Sequence, residues 1–266
     1  MISLAGCQKE EWNIESVETE ESTVVEGRVI TSNGTPLANV VVKVDFHKTK
    51  WLAYYKTRHK AETTTDKNGK YRLFFTVKDD ELETEADKNS DVNKDYSLIF
   101  DMKNLDSKKY FMASDMVPII TSVDPPMAEL AEEVDAKIDL FVSSFERGKT
   151  YTQNLYIPQK RYIQVTLKGF IPKAGDYFSV SSAFPYGFEM DPEQGHHFPD
   201  TPYGYGKMND YLFALHDAEQ KTYQVPCALN ENNILTLIRK KDGVYHAEEH
   251  QLFVTEDTPE NLVYEY

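Results

Sequence analysis

Hydrophobic and polar residues alternate along most of the chain, a pattern typical of half-buried β-strands. In the first half, the alternating runs are Val25–Thr31, Val40–Phe46, Tyr71–Phe75, Tyr96–Met102, Tyr110–Val117 and Thr150–Ile157. In the second half, they are Tyr162–Phe170, Tyr177–Phe184, Thr222–Leu229, Ile234–Lys240, Val244–Val254 and Asn261–Tyr266. Asn33-Gly34, Asn68-Gly69 and Asp242-Gly243 mark turns, because Asn, Asp and Gly accept positive φ. The pattern predicts an all-β protein.

One segment has a helical period instead. Its apolar residues, spaced like one face of a helix, are Met127, Leu130, Ala131, Val134 and Ile138. Pro126 stands just before this stripe, and proline suits the first turn of a helix. We therefore expect a single short helix over residues 127–138, lying on a β-sandwich.

The length of 266 residues exceeds that of one small sandwich and favours two domains. Residues 8–22 contain six glutamates and few apolar groups, which is typical of a solvated spacer. We predict a lipobox and acidic tether over 1–22, a first β-sandwich over 23–158, and a second, Ig-like or transthyretin-like β-sandwich over 159–266. The boundary is placed at Pro158-Gln159-Lys160.

A motif within residues 24–77 resembles the carboxypeptidase regulatory-like domain. Its parts, in order, are Gly27-x-Val29, Asn33-Gly34-x-Pro36-Leu37, Val40-x-Val42 and Thr65-Asp66-x-Asn68-Gly69-x-Tyr71-x-Leu73. The family usually has glycine where this chain has Asn39, and asparagine also tolerates positive φ. The resemblance implies a seven-stranded, transthyretin-like (prealbumin-like) sandwich that is non-catalytic and docks or presents other modules. The second half loosely resembles C-terminal sandwiches of uncharacterised surface lipoproteins.

Leu4-Ala5-Gly6-Cys7 resembles the lipobox of bacterial lipoproteins, whose cysteine is acylated after the preceding signal segment is removed. The next four residues, Gln8, Lys9, Glu10 and Glu11, resemble the signal that exports some Gram-negative lipoproteins to the outer face of the outer membrane. The resemblance implies a surface-exposed protein held in the outer membrane by a lipid anchor. Only six residues precede Cys7, without a basic region or a long apolar stretch, so we expect a longer precursor. The alternative is a chance match in a cytoplasmic protein.

The charge balance narrows the classes of partner. Acidic residues number 44 and basic residues 29, which gives a net charge of −15, so a nucleic-acid partner is disfavoured. No apolar run reaches the ~18 residues that a membrane-spanning helix needs. The two cysteines allow at most one disulfide, and the apolar neighbours of Cys227 indicate a buried, inert thiol.

Residues 47–61 carry five lysine or arginine charges and no acid. Trp51, Tyr54 and Tyr55 lie among them and are candidate ligand-binding residues. Aromatic rings stack on sugar faces, and cations pair with carboxylate or sulfate. The alternative is a long hairpin connection whose rings cap the sandwich.

Residues 184–211 are predicted to form a second aromatic segment, a long loop of the kind that is usually functional or disordered. The candidate ligand-binding rings here are Phe184, Tyr186, Phe188, Tyr203 and Tyr205. The alternative is a loop that folds back over the open end of the sandwich.

Two patterns resemble metal-binding motifs, but no metal or cofactor is predicted. Residues 246–250 match H-x-x-E-H, but on a strand two histidines four residues apart lie ~13 Å apart, too far to share a zinc ion. Residues 87–95 place an oxygen ligand at every second position, as calcium loops do. Val92 and Leu98 stand where such a loop needs Gly and Glu, which favours a solvated acidic loop. A weak calcium site is the alternative.

The sequence therefore predicts a non-enzymatic, lipid-anchored module of the cell surface, with no catalytic residues. Its partner would be a polysaccharide or a surface protein. One alternative is a structural stalk or subunit of a surface assembly, in which the terminal strand Asn261–Tyr266 pairs between chains at an open edge. Another is an accessory domain of an enzyme system. An enzyme would require a pocket of convergent titratable groups.

Overall fold

The computed structural model describes residues 7–12, 14, 17–50, 54–88, 90–116, 136–169, 171, 173, 175–191, 193, 197–208 and 222–265. Strands dominate these ranges, and the prediction of an all-β protein is confirmed. The helical elements within them are α1 (Glu85–Lys88) and short 3-10 turns at Ser32–Gly34, Asp79–Glu81 and Ala113–Met116. None of the helices described is long and apolar enough to span a bilayer.

The chain divides into two compact units. The first contains the described residues of Met1–Val29, Pro36–Leu105 and Lys137–Asn154. The second contains those of Ile30–Thr35, Asp106–Ala136 and Leu155–Tyr266.

The first nine strands carry most of the first unit. They are β1 (Cys7–Trp12), β2 (Thr23–Thr31), β3 (Thr35–Pro36), β4 (Val41–Lys50), β5 (Tyr54–Thr64), β6 (Lys70–Phe75), β7 (Val92–Asp101), β8 (Lys137–Val142) and β9 (Thr150–Thr152). A five-stranded sheet has the order β1-β5-β4-β7-β8. Its strands pair antiparallel except β1, which is parallel to β5. Facing it, β2 pairs antiparallel with β6 and parallel with β9.

The core of the first unit lies between these two layers. Alternate side chains of each strand point inward, and among those buried are Val25, Val42, Val44, Phe46, Leu73, Phe75, Leu98 and Phe100. Ring contacts cross the core, with Tyr71 and Phe100 5.4 Å apart and Phe75 and Tyr96 6.1 Å apart between ring centres. The unit is therefore a β-sandwich.

The turn before β6 shows how local sequence sets the chain reversal. The Asp66 carboxylate accepts hydrogen bonds from the backbone N–H of Asn68 (2.8 Å) and of Lys70 (2.9 Å). Gly69 has φ +70°, and Asn39 has φ +67° where the family resemblance would place glycine. Both positions need residues that tolerate the left-handed region.

The second unit contains β10 (Leu155–Tyr156), β11 (Lys160–Lys168), β12 (Tyr177–Glu189), β13 (Tyr203–Met208), β14 (Thr222–Ala228), β15 (Glu231–Lys241), β16 (Val244–Val254) and β17 (Asn261–Glu265). Antiparallel pairing joins β16, β15, β12 and β13, and β10 also pairs with β12. A second layer has the order β14-β11-β17. The buried side chains between the layers include Ile163, Val165, Val180, Val225, Cys227, Leu235 and Val254.

Two predicted elements differ from the structure. The run Tyr110–Val117 is not a strand where it is described, because Tyr110 forms one isolated bridge with Gln159 and Ala113–Met116 is a 3-10 turn. Most of the predicted helix over 127–138 lies outside the described residues. Its end was wrong, because β8 begins at Lys137 and Ile138 alternates with exposed neighbours in that strand.

Candidate functional site

The structure brings two groups of predicted site residues together at the edge of the first unit. In the parallel pairing of β1 with β5, Cys7 lies opposite Tyr54 and Gln8 opposite Tyr55. The predicted lipidation and export residues, Cys7 to Glu11, therefore run beside two of the candidate aromatic residues. Trp51 lies outside the described residues. The prediction of a solvated spacer over 8–22 was wrong for residues 8–12, because they belong to the edge strand β1.

Glu11 provides the main side-chain link from β1 to β5. Its carboxylate lies 2.6 Å from Lys56 Nζ and 3.1 Å from Arg58 Nε. Lys9 lies opposite Lys56 and Glu11 opposite Arg58 in the strand register. The Gln8-Lys9-Glu10-Glu11 segment is thus ordered here by a backbone ladder and by complementary charge.

Behind this edge lies a buried network of charged groups. Arg58, only 6% exposed in its side chain, donates to the Asp80 carboxylate at 2.8 and 3.0 Å and to Glu81 at 2.5 Å. Lys60 and Glu81 are both fully buried, with Nζ 2.7 and 3.0 Å from the two carboxylate oxygens. The Tyr96 hydroxyl also donates to Glu81, at 3.0 Å.

The electrostatics of this network are those of paired charges. The hydrogen bond from Arg58 lowers the pKa of Asp80 to about 2. Burial lowers the pKa of Lys60, although its contact with Glu81 acts in the opposite direction. Lys50 also faces an acid, Asp91, at 3.6 Å. Four of the five cations in residues 47–61 are therefore matched by acidic side chains within the unit.

The five candidate rings of the second predicted aromatic segment lie on two paired strands and not in a loop. Phe184, Tyr186 and Phe188 lie in β12, and Tyr203 and Tyr205 in β13. Phe184 is fully buried with its ring 4.3 Å from that of Phe111, and Tyr186 is 8% exposed. These two rings are core residues, which corrects their assignment as ligand contacts.

The other three rings of this hairpin are less buried. Phe188 and Tyr203 are half-buried, and Tyr203 stacks on Tyr156 at 4.9 Å between ring centres. Tyr205 is 51% exposed, with its ring 5.3 Å from that of buried Phe198. No coplanar pair of exposed rings occurs among the five candidates of this segment.

Residues of both metal-like patterns contact other side chains in the structure. The strand predicted for residues 244–254 is confirmed, and His246 and His250 place Nε2 2.9 and 3.3 Å from the Glu248 carboxylate between them. Asp87 of the calcium-like segment is held by Lys94 Nζ at 2.8 Å. Across the described ranges, no three His, Cys, Asp or Glu side chains come together as metal ligands. Cys227 is fully buried, as predicted, and burial raises the pKa of its thiol to about 12.

A row of residues on the outer face of the five-stranded sheet was not predicted from the sequence. Paired positions place Trp12, His59, Asp45, Ser97 and Phe141 side by side across β1, β5, β4, β7 and β8. Trp12 and Phe141, at the two ends, are 68% and 67% exposed. The His59 ring lies 4.2 Å from that of Trp12, and its Nδ1 lies 2.9 Å from Asp45 Oδ1. Only strand register reveals such a row.

The sequence matches no protein-family model and no curated protein. Similar solved structures include a 9R-lipoxygenase from Cyanothece, with 12% identity over 55% of this chain and 18% of the lipoxygenase, at a TM-score of 0.26. A streptococcal ancillary pilin has 8% identity over 92% of this chain and 62% of the pilin, at a TM-score of 0.26. A shaft pilin from Lactobacillus rhamnosus GG has 9% identity over 92% of this chain and 98% of the pilin, at a TM-score of 0.27. This chain therefore covers less than two thirds of the length of the lipoxygenase and of the ancillary pilin. TM-scores this low assign neither a family nor a function.

Proposed function

We propose that this chain is a lipid-anchored, non-enzymatic module of the bacterial cell surface. The observation that carries the proposal is the Leu4-Ala5-Gly6-Cys7 motif together with the position of Cys7 as the first residue of β1. Acyl chains contribute ~0.8 kcal/mol per buried CH₂, so two or more would hold the protein stably in a membrane. Export to the outer face of the outer membrane rests on Gln8-Lys9-Glu10-Glu11.

The first unit would act as a carboxypeptidase regulatory-like sandwich, which docks or presents other modules. Its support is the motif within residues 24–77. Positive φ angles at Asn33, Gly34, Asn39 and Gly69 suit the residue types in that motif.

A binding role is supported best by the outer row from Trp12 to Phe141. Two exposed rings flank hydrogen-bonding side chains on one sheet face, and rings of this kind stack on sugars or on apolar groups of a protein partner. In a binding screen of neutral and acidic polysaccharides, we expect Trp12→Ala to weaken binding about fivefold or more, since a stacked ring contributes on the order of 1 kcal/mol. Unchanged affinity in both Trp12→Ala and Phe141→Ala would contradict this face.

The anchor is tested with matched cysteine variants in a Gram-negative host, expressed behind a complete signal segment. Cys7→Ser should move the protein from the membrane to the soluble fraction, whereas Cys227→Ser should stay in the membrane. Protease added to intact cells should digest the parent protein. Survival on intact cells with normal membrane fractionation would place the protein on an inner leaflet. Membrane retention of Cys7→Ser would refute the anchor.

A structural subunit is the second candidate, favoured by the position of the terminal strand. In the order β14-β11-β17, β17 is an edge strand paired with β11 in parallel. Val263 within it is 59% exposed. An edge of this kind can accept a strand from another chain.

A further inference from the structure

The N-terminal strand β1 is attached to the first unit at its edge. Its pairing with β5 is parallel, the less stable arrangement per residue, whereas β5 pairs antiparallel with β4. Of its described side chains, Glu10 and Trp12 are exposed and Glu11 is half-buried. These side chains of β1 therefore add nothing to the hydrophobic core, and β1 is held by its backbone ladder, by Glu11 and by the contact of the Trp12 ring with His59.

What β1 supplies to β5 is specific. Six residue pairs, from Cys7 with Tyr54 to Trp12 with His59, fix its register. That register puts the Glu11 carboxylate on Lys56 and Arg58, whose side chains are 13% and 6% exposed. With β1 withdrawn, β5 would present an open backbone edge, and both cations would lose one acidic partner. The site on β5 thus fits an extended strand with an acid at this position.

The connection from β1 to β2 is long enough to let β1 leave. Five residues separate Trp12 from Glu18, whose carboxylate is held by Arg72 of β6 at 2.5 and 2.7 Å, and an extended chain spans up to about 3.3 Å per residue, or roughly 16 Å here. Ile14 and Val17 in this connection are 51% and 70% exposed. Neither side chain ties the connection to the core.

We propose that β1 exchanges between copies of this chain, so that β1 of one copy pairs with β5 of a second copy in the same register. A second copy is the occupant because it carries the identical strand, with its Glu11 placed to meet Lys56 and Arg58. The intrachain and interchain pairings make the same contacts, so concentration decides between them. The exchange does not depend on acylation, although anchoring in one membrane would raise the local concentration.

Interchain disulfide trapping tests the exchange. Glu10 lies opposite Thr57, and facing strand positions suit a disulfide in separation. In a Cys7→Ser, Cys227→Ser background, one chain carries Glu10→Cys and a differently tagged chain carries Thr57→Cys. After the two are unfolded together, refolded at high concentration and oxidised, we expect a covalent heterodimer. A chain carrying both cysteines should also close internally at high dilution, which shows that the variants fold with the register intact.

The matched control replaces Thr57→Cys by Glu62→Cys, which lies on β5 beyond the residues that pair with β1. Heterodimer formed with Thr57→Cys and not with Glu62→Cys supports the exchange. Equal amounts of heterodimer with both partners would indicate random collision and overturn it. Internal closure of the double-cysteine chain without any heterodimer would also overturn it. None of these outcomes bears on the lipid anchor, because Cys7 is absent.

Discussion

Glu81 is the residue on which the buried charges of the first unit depend. Its fully buried carboxylate accepts hydrogen bonds from Lys60, Arg58 and Tyr96. Removing one partner of a buried ion pair leaves an uncompensated charge, which typically costs ~3–5 kcal/mol. We expect Glu81→Gln to lower the free energy of unfolding of the first unit by that order, measured by urea denaturation.

The control is Asp79→Asn in the same 3-10 turn. Asp79 is 94% exposed in its side chain and pairs with Arg147 at the surface, where solvent screens the ion pair and it contributes little to stability. Equal, small losses in the two variants would show that Glu81 is not essential to the network.

Gly69 tests the turn that the sequence predicted. A Cβ at this position would overlap the carbonyl oxygen of Val29, and φ is +70°. Gly34 has φ +67° but open space around it, so Gly34→Val carries only the backbone strain of ~1–3 kcal/mol. We expect Gly69→Val to be clearly the more destabilising in thermal unfolding. A similar melting temperature for the two variants would contradict the packing at Gly69.

The titration of Asp80 makes the stability of the same network depend on pH. Its folded pKa of about 2 lies below the ordinary value of 3.8. Its contribution to stability is therefore present above pH ~4 and is lost as the pH falls towards 2. Solvent screens this contribution, because the Asp80 side chain is 57% exposed. Asp80→Asn should be less stable at pH 7 and lose less stability on acidification. Parallel pH profiles would contradict this role.

At the scale of single elements, the predictable parts were those whose signal is local. The strand after Asn68-Gly69, β6, follows from alternation and turn chemistry carried within a few residues, whereas β5 before it was missed. β1 could not be predicted in this way, because its polar sequence is ordered by Lys56 and Arg58 some fifty residues away. Gly206 similarly lets the rings of β12 approach β13, since a Cβ there would lie 2.6 Å from the Phe184 ring.

The β12–β13 hairpin carries one ring that is packed against the unit, Tyr203, and one that is accessible to solvent, Tyr205. Tyr203 stacks on Tyr156, whereas Tyr205 is half exposed. We expect Tyr203→Ala to lower the melting temperature of the second unit, because packed aromatic area is lost. Tyr205→Ala should change it far less. A larger loss in Tyr205→Ala would contradict the packing of this hairpin.

On the scale of the whole molecule, the all-β fold is confirmed, and the lipobox and export motifs are its proposed link to a membrane. Alternation predicted many of the strands, and the length predicted more than one domain, but β1, β5, β8 and β13 were not predicted as strands. The candidate site residues were predicted less well, because a sequence does not reveal which rings become core. Phe184 and Tyr186 are buried. The exposed Trp12 and Phe141 lie in β1 and β8, which are the two edge strands of one sheet and are separated by three other strands. We propose that acylated Cys7 holds this fold at a membrane.

The most direct test is the mass of the N-terminal peptide of protein extracted from membranes after expression of the full precursor. If Cys7 is the anchor, we expect a peptide that begins at Cys7 and carries acyl chains, and that is lost in Cys7→Ser. A peptide that retains Leu4-Ala5-Gly6 before an unmodified Cys7 would contradict it.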